Sequence, residues 1–362
     1  MEYNRPVFSA SGILLILMLI LAVSCSPYQP LPTPTSTPPP TPTFPNTELT
    51  PTIDTDGLPP EVADTLLSIE QVDKYPLYVM HYAGSYNSLP IGIENPATID
   101  FGCSLFAALG NEGNRLYGRN FDWQYSPALL LYTAPPDGYV SVSMVNLMWL
   151  QMDWKLIAAL AKAPLAARTP VLSAPTLPID GMNEYGLTIG MALVTDGAID
   201  DPPYDPERPT MSPLGMIREM LDHARDVDEA VETFKQYNID FSGAVPIHYL
   251  LADPSGKSVL LEFHDQKLVQ LPNLYPWHMA TNHLRCIANG NGGCWRYQIL
   301  FNRLVGKKGK LDPAAAMQLL ADVKQDSTQW SVVYHMNTGD VEVVLGANYD
   351  TVHTFHLELV KP

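Results

Sequence analysis

The chain has 362 residues, 46% hydrophobic and 16% charged, with a formal net charge of −17, a composition that builds a globular protein with a sizeable core. No Lys/Arg-rich run occurs, which argues against nucleic acid as a partner, and so acidic a chain gains no electrostatic attraction to an anionic membrane surface. Residues 26–102 carry −8 of the charge (nine acids, one lysine) and residues 103–362 the other −9.

The N-terminus reads as an export signal. Arg5 precedes an apolar run from Ile13 to Val23, too short for a transmembrane helix, which needs about 20 apolar residues. The run ends in Leu21-Ala22-Val23-Ser24-Cys25, which resembles a bacterial lipobox with Ala22 where leucine is usual. Residues 1–25 are thus expected to be a lipoprotein signal ending at an acylated Cys25. A plain secretory signal cut nearby is the alternative. Either places the protein outside the cytoplasm, anchored in the first case on the outer face of the bacterial cytoplasmic membrane, where disulfides persist. Residues 26–58 are Pro/Thr-rich and poor in large apolar side chains, so they form a semi-rigid stalk and not a core.

From Pro59 the pattern turns globular. "EVADTLLSIEQVD" has helical spacing and "YPLYVMHYAG" reads as a strand. Strand signals follow in "CSLFAALG", "NRLYGRNFDW", "ALLLYTA" and "GYVSVSMVN". Residues 148–166 read as one apolar helix, either core or a greasy lid in which Met148, Trp149, Met152, Trp154 and Leu156 face an acyl chain or the bilayer. "SPLGMIREMLDHARDVDEAVETFKQY" predicts two helices capped by Ser212 and Asp226. The rest returns to strands: "IHYLLADPSGKSVLLEFH" as a hairpin, then "WHMATN", "WSVVYHM", "DVEVVLG" and "TFHLEL". Strands, then helices, then strands point to a layered α+β domain. No Gly-rich phosphate loop follows a strand, so a nucleotide cofactor has no support.

One stretch carries chemistry. Cys103 follows Gly102 directly, with Arg119 and Asp122 behind it. Most lone cysteines are core residues, but a guanidinium beside a thiol favours the thiolate. A hairpin near Gly110–Gly113 folds Arg119 back towards Cys103. At strand spacing Asp122 faces the opposite side unless a bulge intervenes. None of the nine histidines stands in a recognisable partner motif. The other available base is the cysteine's own α-amine, freed by cutting Gly102–Cys103. The ordinary pKa of an α-amine, about 7.7–8.0, suits a proton shuttle. The glycine would give the backbone freedom for such a cut.

The run from Cys103-Ser104 to Gly118-Arg119-Asn120-Phe121-Asp122-Trp123 resembles the N-terminal-nucleophile (Ntn) hydrolases of the choloylglycine hydrolase superfamily. This group includes bile-salt hydrolases, penicillin V acylases, N-acylethanolamine acid amidases and isopenicillin N acyltransferases. Their signature is Cys-Thr, then Gly-Arg-Asn-Leu-Asp-Trp, with Arg sixteen and Asp nineteen residues after the nucleophile, the separations found here. "DGMNEYGLTIGMAL" (180–193), "ATNH" (280–283) and Arg296 fall in the family's order.

The resemblance implies a four-layer αββα sandwich. It implies an autoproteolytically activated amidase of N-acyl compounds without cofactor or metal, with 59–102 as pro-segment and 103–362 as catalytic domain. Cys103 would attack the amide carbonyl, Arg119 favour the thiolate, and Asp122 hold the α-amine. Asn282 Nδ2 and the Leu193 N–H would bind the oxyanion, and Arg296 brace Asp122 and the nucleophile. The two cleaved fragments would stay associated. An acyltransferase of the same fold and a catalytically inactive binding homologue are the alternatives. Cys286 and Cys294 frame a loop of seven residues. With His278 and His283 they offer a zinc site, but the spacing is long for a zinc knuckle, so a disulfide across the loop is the expectation.

Overall fold

The computed structural model describes residues 57–86, 102–194, 202–241, 246–288 and 292–360. The signal segment, Cys25 and nearly all of the stalk lie outside the described residues, as do residues 87–101 of the pro-segment. The first elements are α1 (Pro60–Leu67), β1 (Glu70–Asp73), β2 (Leu77–Tyr82), β3 (Cys103–Ala108), β4 (Leu116–Asp122), β5 (Ala128–Thr133) and β6 (Ser141–Asn146). Then come α2 (Trp154–Ala158), α3 (Leu165–Arg168), β7 (Asp180–Asn183), β8 (Thr188–Leu193), β9 (Thr210–Met211), α4 (Pro213–His223), α5 (Val227–Phe234) and β10 (Asn238–Ile239). The last are β11 (Ile247–Ala252), β12 (Ser258–His264), β13 (Lys267–Pro272), β14 (Trp277–Ala280), α6 (Trp295–Lys307), α7 (Pro313–Asp322), β15 (Thr328–His335), β16 (Asp340–Leu345) and β17 (His353–His356).

Among the described residues β9 pairs with β10 in a small sheet of its own, and the two large sheets have nine strands in the order β1-β2-β5-β6-β7-β8-β11-β12-β13 and six in the order β14-β3-β4-β15-β16-β17. All neighbours in them run antiparallel except β2 and β5. Helix α4 packs on β7 and β8, α6 on β3 and β14, and α7 on β4 and β15, while β3 faces β8 and β11 across the middle. The layers are therefore helix, sheet, sheet, helix, the four-layer αββα sandwich that the sequence resemblance implies.

Both faces of the six-stranded sheet are covered, and the side-chain pattern shows why. A strand sends alternate residues to opposite faces. On β3, Cys103, Leu105 and Ala107 enter the core between the sheets, whereas Phe106 and Ala108 enter a second core under α6 and α7. On β15, Trp330, Val332 and Tyr334 take the first side and Val333 the second. Burying each such side chain contributes about 1.5–3 kcal/mol, so a strand with two apolar faces settles only between two layers.

The expected two helices follow Ser212 and Asp226, whose side chains accept from Gly215 N–H and Glu229 N–H. The single helix expected over 148–166 is not formed. A 3₁₀ turn at Leu147–Leu150 ends at Gln151, which has a left-handed backbone (φ 54°). Asp153 then caps α2 through Lys155 N–H, and Pro164, which has no N–H, starts α3 afresh. The segment is mostly packing: Leu147, Leu150, Ile157 and Leu160 are buried, with Met148 and Trp154 exposed. Trp149 stands edge-on to Phe121 and Trp123.

The expected Cys286–Cys294 bridge is also absent: the two sulfurs are not bonded to each other. Different elements hold the two ends. Cys286 N–H is tied to Glu262 on β12, while Cys294 is the N-cap residue of α6 and packs against the second core.

Candidate active site

Cys103 opens β3 and pairs with Phe121 on β4, and Leu105 pairs with Arg119. Arg119 therefore lies diagonally from Cys103 on the same face, with Nη2 at 3.5 Å from the sulfur. The same Nη2 donates to the Met191 carbonyl at 3.1 Å, and Nη1 pairs with Asp180 at 2.7 Å. Tyr334 donates to the other Asp180 oxygen at 2.5 Å. All three side chains are fully buried. Asp180 was not singled out in the sequence, although it begins the DGMN strand. An acid in a strand buried along its whole length was the available signal.

Asp122 lies on the opposite face of β4, as strand alternation requires. Its carboxylate accepts from Thr328 Oγ1 at 2.5 Å and Gln325 Nε2 at 2.6 Å. Burial pushes its pKa up from the usual carboxylate value, opposed by those two bonds and by the charges of Arg296 and Arg119. The Asp122 carboxylate was expected to hold the nitrogen of Cys103. In the uncut chain that place is taken by Asn282 Oδ1, at 2.7 Å from Cys103 N. Asp122 instead gives its backbone N–H to the Gly102 carbonyl at 3.0 Å. Gln325, from the loop leading into β15, and Thr328, the first residue of β15, carried no sequence signal.

Asn282 lies just past β14, which pairs with β3 so that Ala280 faces Leu105. Its Nδ2 donates to the Leu193 carbonyl at 2.9 Å, which uses one of the two hydrogens on that nitrogen. The Leu193 backbone lies near enough to the Cys103 sulfur to pull the thiol's pKa down. Arg296, in the first turn of α6, binds the Cys103 carbonyl through Nη1. That nitrogen also reaches Ser104 Oγ at 3.0 Å and Asp122 at 3.9 Å, and Nη2 reaches Asn282 Oδ1 at 2.8 Å. The structure thus brings Cys103, Arg119, Leu193, Asn282 and Arg296 together, with Asp122 behind the Gly102–Cys103 peptide.

Electrostatics differ from the simple expectation that Arg119 favours the thiolate. Burial pushes the Cys103 thiol above its ordinary value, and the opposing pull of Arg119 does not overcome it. Arg119 itself stays a cation: burial pulls its pKa down, but anionic Asp180 pulls the other way and the value ends above the ordinary one. In the uncut chain the sulfur is a sealed thiol.

Gly102 also differs from expectation. It is absent from the positive-φ residues, so backbone freedom is not what selects glycine here. Space is. A Cβ at Gly102 would lie 2.4 Å from Gln325 Nε2 and 2.8 Å from Arg296 Nη2.

Residues 103–276, starting at Cys103 itself, match a family model described as linear amide C–N hydrolases, choloylglycine hydrolase family. Among solved structures, a mutant conjugated bile acid hydrolase from Clostridium perfringens is 15% identical, with a TM-score of 0.50 over 70% of this chain and 92% of that one. Penicillin V acylase from Agrobacterium tumefaciens is 18% identical, with a TM-score of 0.47 over 70% and 86%. At such identities the likeness to the bile acid hydrolase is one of fold.

Proposed function

We propose that this chain, which belongs through residues 103–276 to the choloylglycine hydrolase family of linear amide C–N hydrolases, hydrolyses N-acyl amides with Cys103 as a self-exposed N-terminal nucleophile. Family membership supports the coarse part, hydrolysis of a non-peptide C–N bond. One observation carries the finer part: the Gly102–Cys103 peptide is gripped on both sides. Asp122 N–H holds its carbonyl oxygen and Asn282 Oδ1 its N–H, with Cys103 Sγ in the same residue as that nitrogen. That is how a bond poised for an N-to-S acyl shift would be held.

In the first step Sγ attacks the Gly102 carbonyl carbon, the C–N bond breaks, and the thiol proton ends on the Cys103 nitrogen. Asp122 N–H would stabilise the developing oxyanion. Water then cleaves the thioester, releasing a Gly102 carboxylate and a free thiol with a free α-amine. In turnover the amine takes the thiol proton and Sγ attacks the substrate amide. The amine then passes the proton to the leaving nitrogen, and the acyl-thioester is hydrolysed by water. The Leu193 N–H and Asn282 Nδ2 bind the oxyanion, a role in which losing one donor costs about 10²–10³ in rate.

The same proposal makes the protein an exported lipoprotein. Cys25 and the stalk hold the N-terminal fragment at the outer face of the membrane, and that fragment retains the catalytic piece without a covalent bond. The test is intact-mass analysis and N-terminal sequencing of the purified protein, with an N-acyl amide panel assayed alongside. Wild type should give two fragments, the second beginning at Cys103, and Cys103→Ala one inactive chain. An uncut but active wild type would sink the α-amine mechanism, because a cysteine inside a peptide bond has no amine to use.

A further inference from the structure

The turn that carries Asn282 is not held by its own strand alone. Beyond β14, the backbone of 281–286 is bonded at three points to two side chains of the other sheet. His248, on β11, has Nε2 at 2.7 Å from the Thr281 carbonyl. Glu262, on β12, accepts Arg285 N–H at 2.7 Å and Cys286 N–H at 2.8 Å. The two side chains meet at 3.0 Å through His248 Nδ1, and neither has any exposed surface.

The proton positions follow from the acceptors. A carbonyl oxygen only accepts, so Nε2 carries a hydrogen. Burial pushes the Glu262 carboxyl up, but the bonds and charge from His248 and the Arg285 and Cys286 amides outweigh it and bring it below its ordinary value. Glu262 therefore faces Nδ1 as a carboxylate. His278 is no part of this arrangement: burial lowers its pKa to about 4, and it bonds Ser258 Oγ instead.

A buried His–Glu pair is a costly way to fill space between two sheets, since apolar residues of similar volume often serve stability as well or better. What apolar residues cannot do is hold a carbonyl and two amides of one turn. We infer that His248 and Glu262 are positioning residues of the active site, clamping the 281–286 turn so that Asn282 stays against Cys103 and Leu193. The inference rests on the function proposed above. It matters because Asn282 contacts the Cys103 nitrogen and the Leu193 carbonyl, and a displacement of about 1 Å at such a group can cost about 10² in rate.

The test compares Glu262→Met, which keeps bulk but accepts no hydrogen bond, with Glu262→Gln, which keeps one accepting oxygen. Three quantities are measured on the full chain: the self-cleavage rate by intact mass, kcat and KM on an N-acyl amide that wild type turns over, and the melting temperature. Glu262→Met should lower kcat about 100-fold, the scale of one lost oxyanion donor, with KM within about threefold and self-cleavage slowed. Glu262→Gln should fall between, near tenfold. A lowered melting temperature with wild-type kcat in the folded fraction would overturn the inference and leave a purely structural pair. If Glu262→Met does not fold, wild-type kcat in Glu262→Gln has the same force. A wild type that neither cuts itself nor hydrolyses any amide would fail earlier, and would overturn the proposed function along with it.

Discussion

Self-cleavage at Gly102–Cys103 should leave two fragments that do not come apart, because the N-terminal one is built into the sheet. Strand β2 lies inside the nine-stranded sheet, between β1 and β5, with Leu77, Tyr78 and Met80 fully buried and Leu66 of α1 buried beside them. Polar ties add to this: Tyr78 Oη donates to the Ile157 carbonyl at 2.6 Å, and Arg168 Nη1 to the Leu66 carbonyl at 2.8 Å. Truncating a buried Leu or Met to Ala costs about 2–5 kcal/mol. Once the chain is cut, that cost appears as a dissociation constant raised about 30- to 4,000-fold per site. Size-exclusion chromatography at falling concentration, with each peak run on a denaturing gel, reads this directly. Wild type should elute as one species containing both bands, and Leu77→Ala with Met80→Ala should release the small band at higher concentration. In the uncut Cys103→Ala background the same two changes should lower only the melting temperature. Separation of the wild-type fragments at micromolar concentration would refute the reasoning.

Three further outcomes are expected. Arg119→Met should abolish turnover and also destabilise the fold by about 3–5 kcal/mol, because it leaves Asp180 buried without its partner; Asp122→Asn, which keeps its shape among Thr328 and Gln325, should lose activity with a much smaller change in melting temperature. Gly102→Ala should fold yet cut itself slowly, since the added methyl displaces only side-chain ends, those of Gln325 and Arg296; intact mass against time checks it. While that variant is still uncut, iodoacetamide without reductant should label the half-buried Cys286 and Cys294 before the fully buried Cys103. Because the Cys103 thiol is raised above its ordinary value, its thiolate fraction and labelling should still be rising above pH 9, and rapid labelling at pH 7 would contradict the assignment.

Strand alternation made much of this legible in the sequence. Arg119 and Asp122, three residues apart on one strand, had to face opposite sides, and they do: one reaches the sulfur, the other Thr328 at the start of β15. The two capped helices were readable for the same reason, since Ser212 and Asp226 act within their own turns. What escaped were contacts made between layers. Gln325 and Thr328 hold Asp122 from more than two hundred positions away. His248 reaches Thr281 from the other sheet. No local pattern marks such residues. The apolar run over 148–166 misled because periodicity is blind to Gln151 entering the left-handed region.

The uncut geometry bears on why a peptide bond should guard the site at all. Three side chains that would act on a substrate amide are already bonded to the chain's own backbone: Asn282 to Cys103 N and Leu193 O, Arg296 to Cys103 O, Arg119 to Met191 O. The thiol is buried and protonated, so in this state it has neither a base nor access to an external amide. Cutting Gly102–Cys103 would change three things together. It turns a non-basic peptide nitrogen into an amine, a group that ordinarily titrates at about 7.7–8.0. It removes the Gly102 carbonyl from the Asp122 amide. It also opens the space that Gly102 occupies between Gln325 and Arg296, which is too tight for even one methyl group. Base, donor and space would then arrive in one chemical step, so that a chain with the cut blocked should bind substrate poorly and not merely turn it over slowly. Measured by equilibrium dialysis against a non-hydrolysable analogue of an N-acyl amide that wild type hydrolyses, still-uncut Gly102→Ala should show at least tenfold weaker binding than cut wild type. Equal binding by the two would mean that the pro-segment junction blocks chemistry alone and leaves the site open.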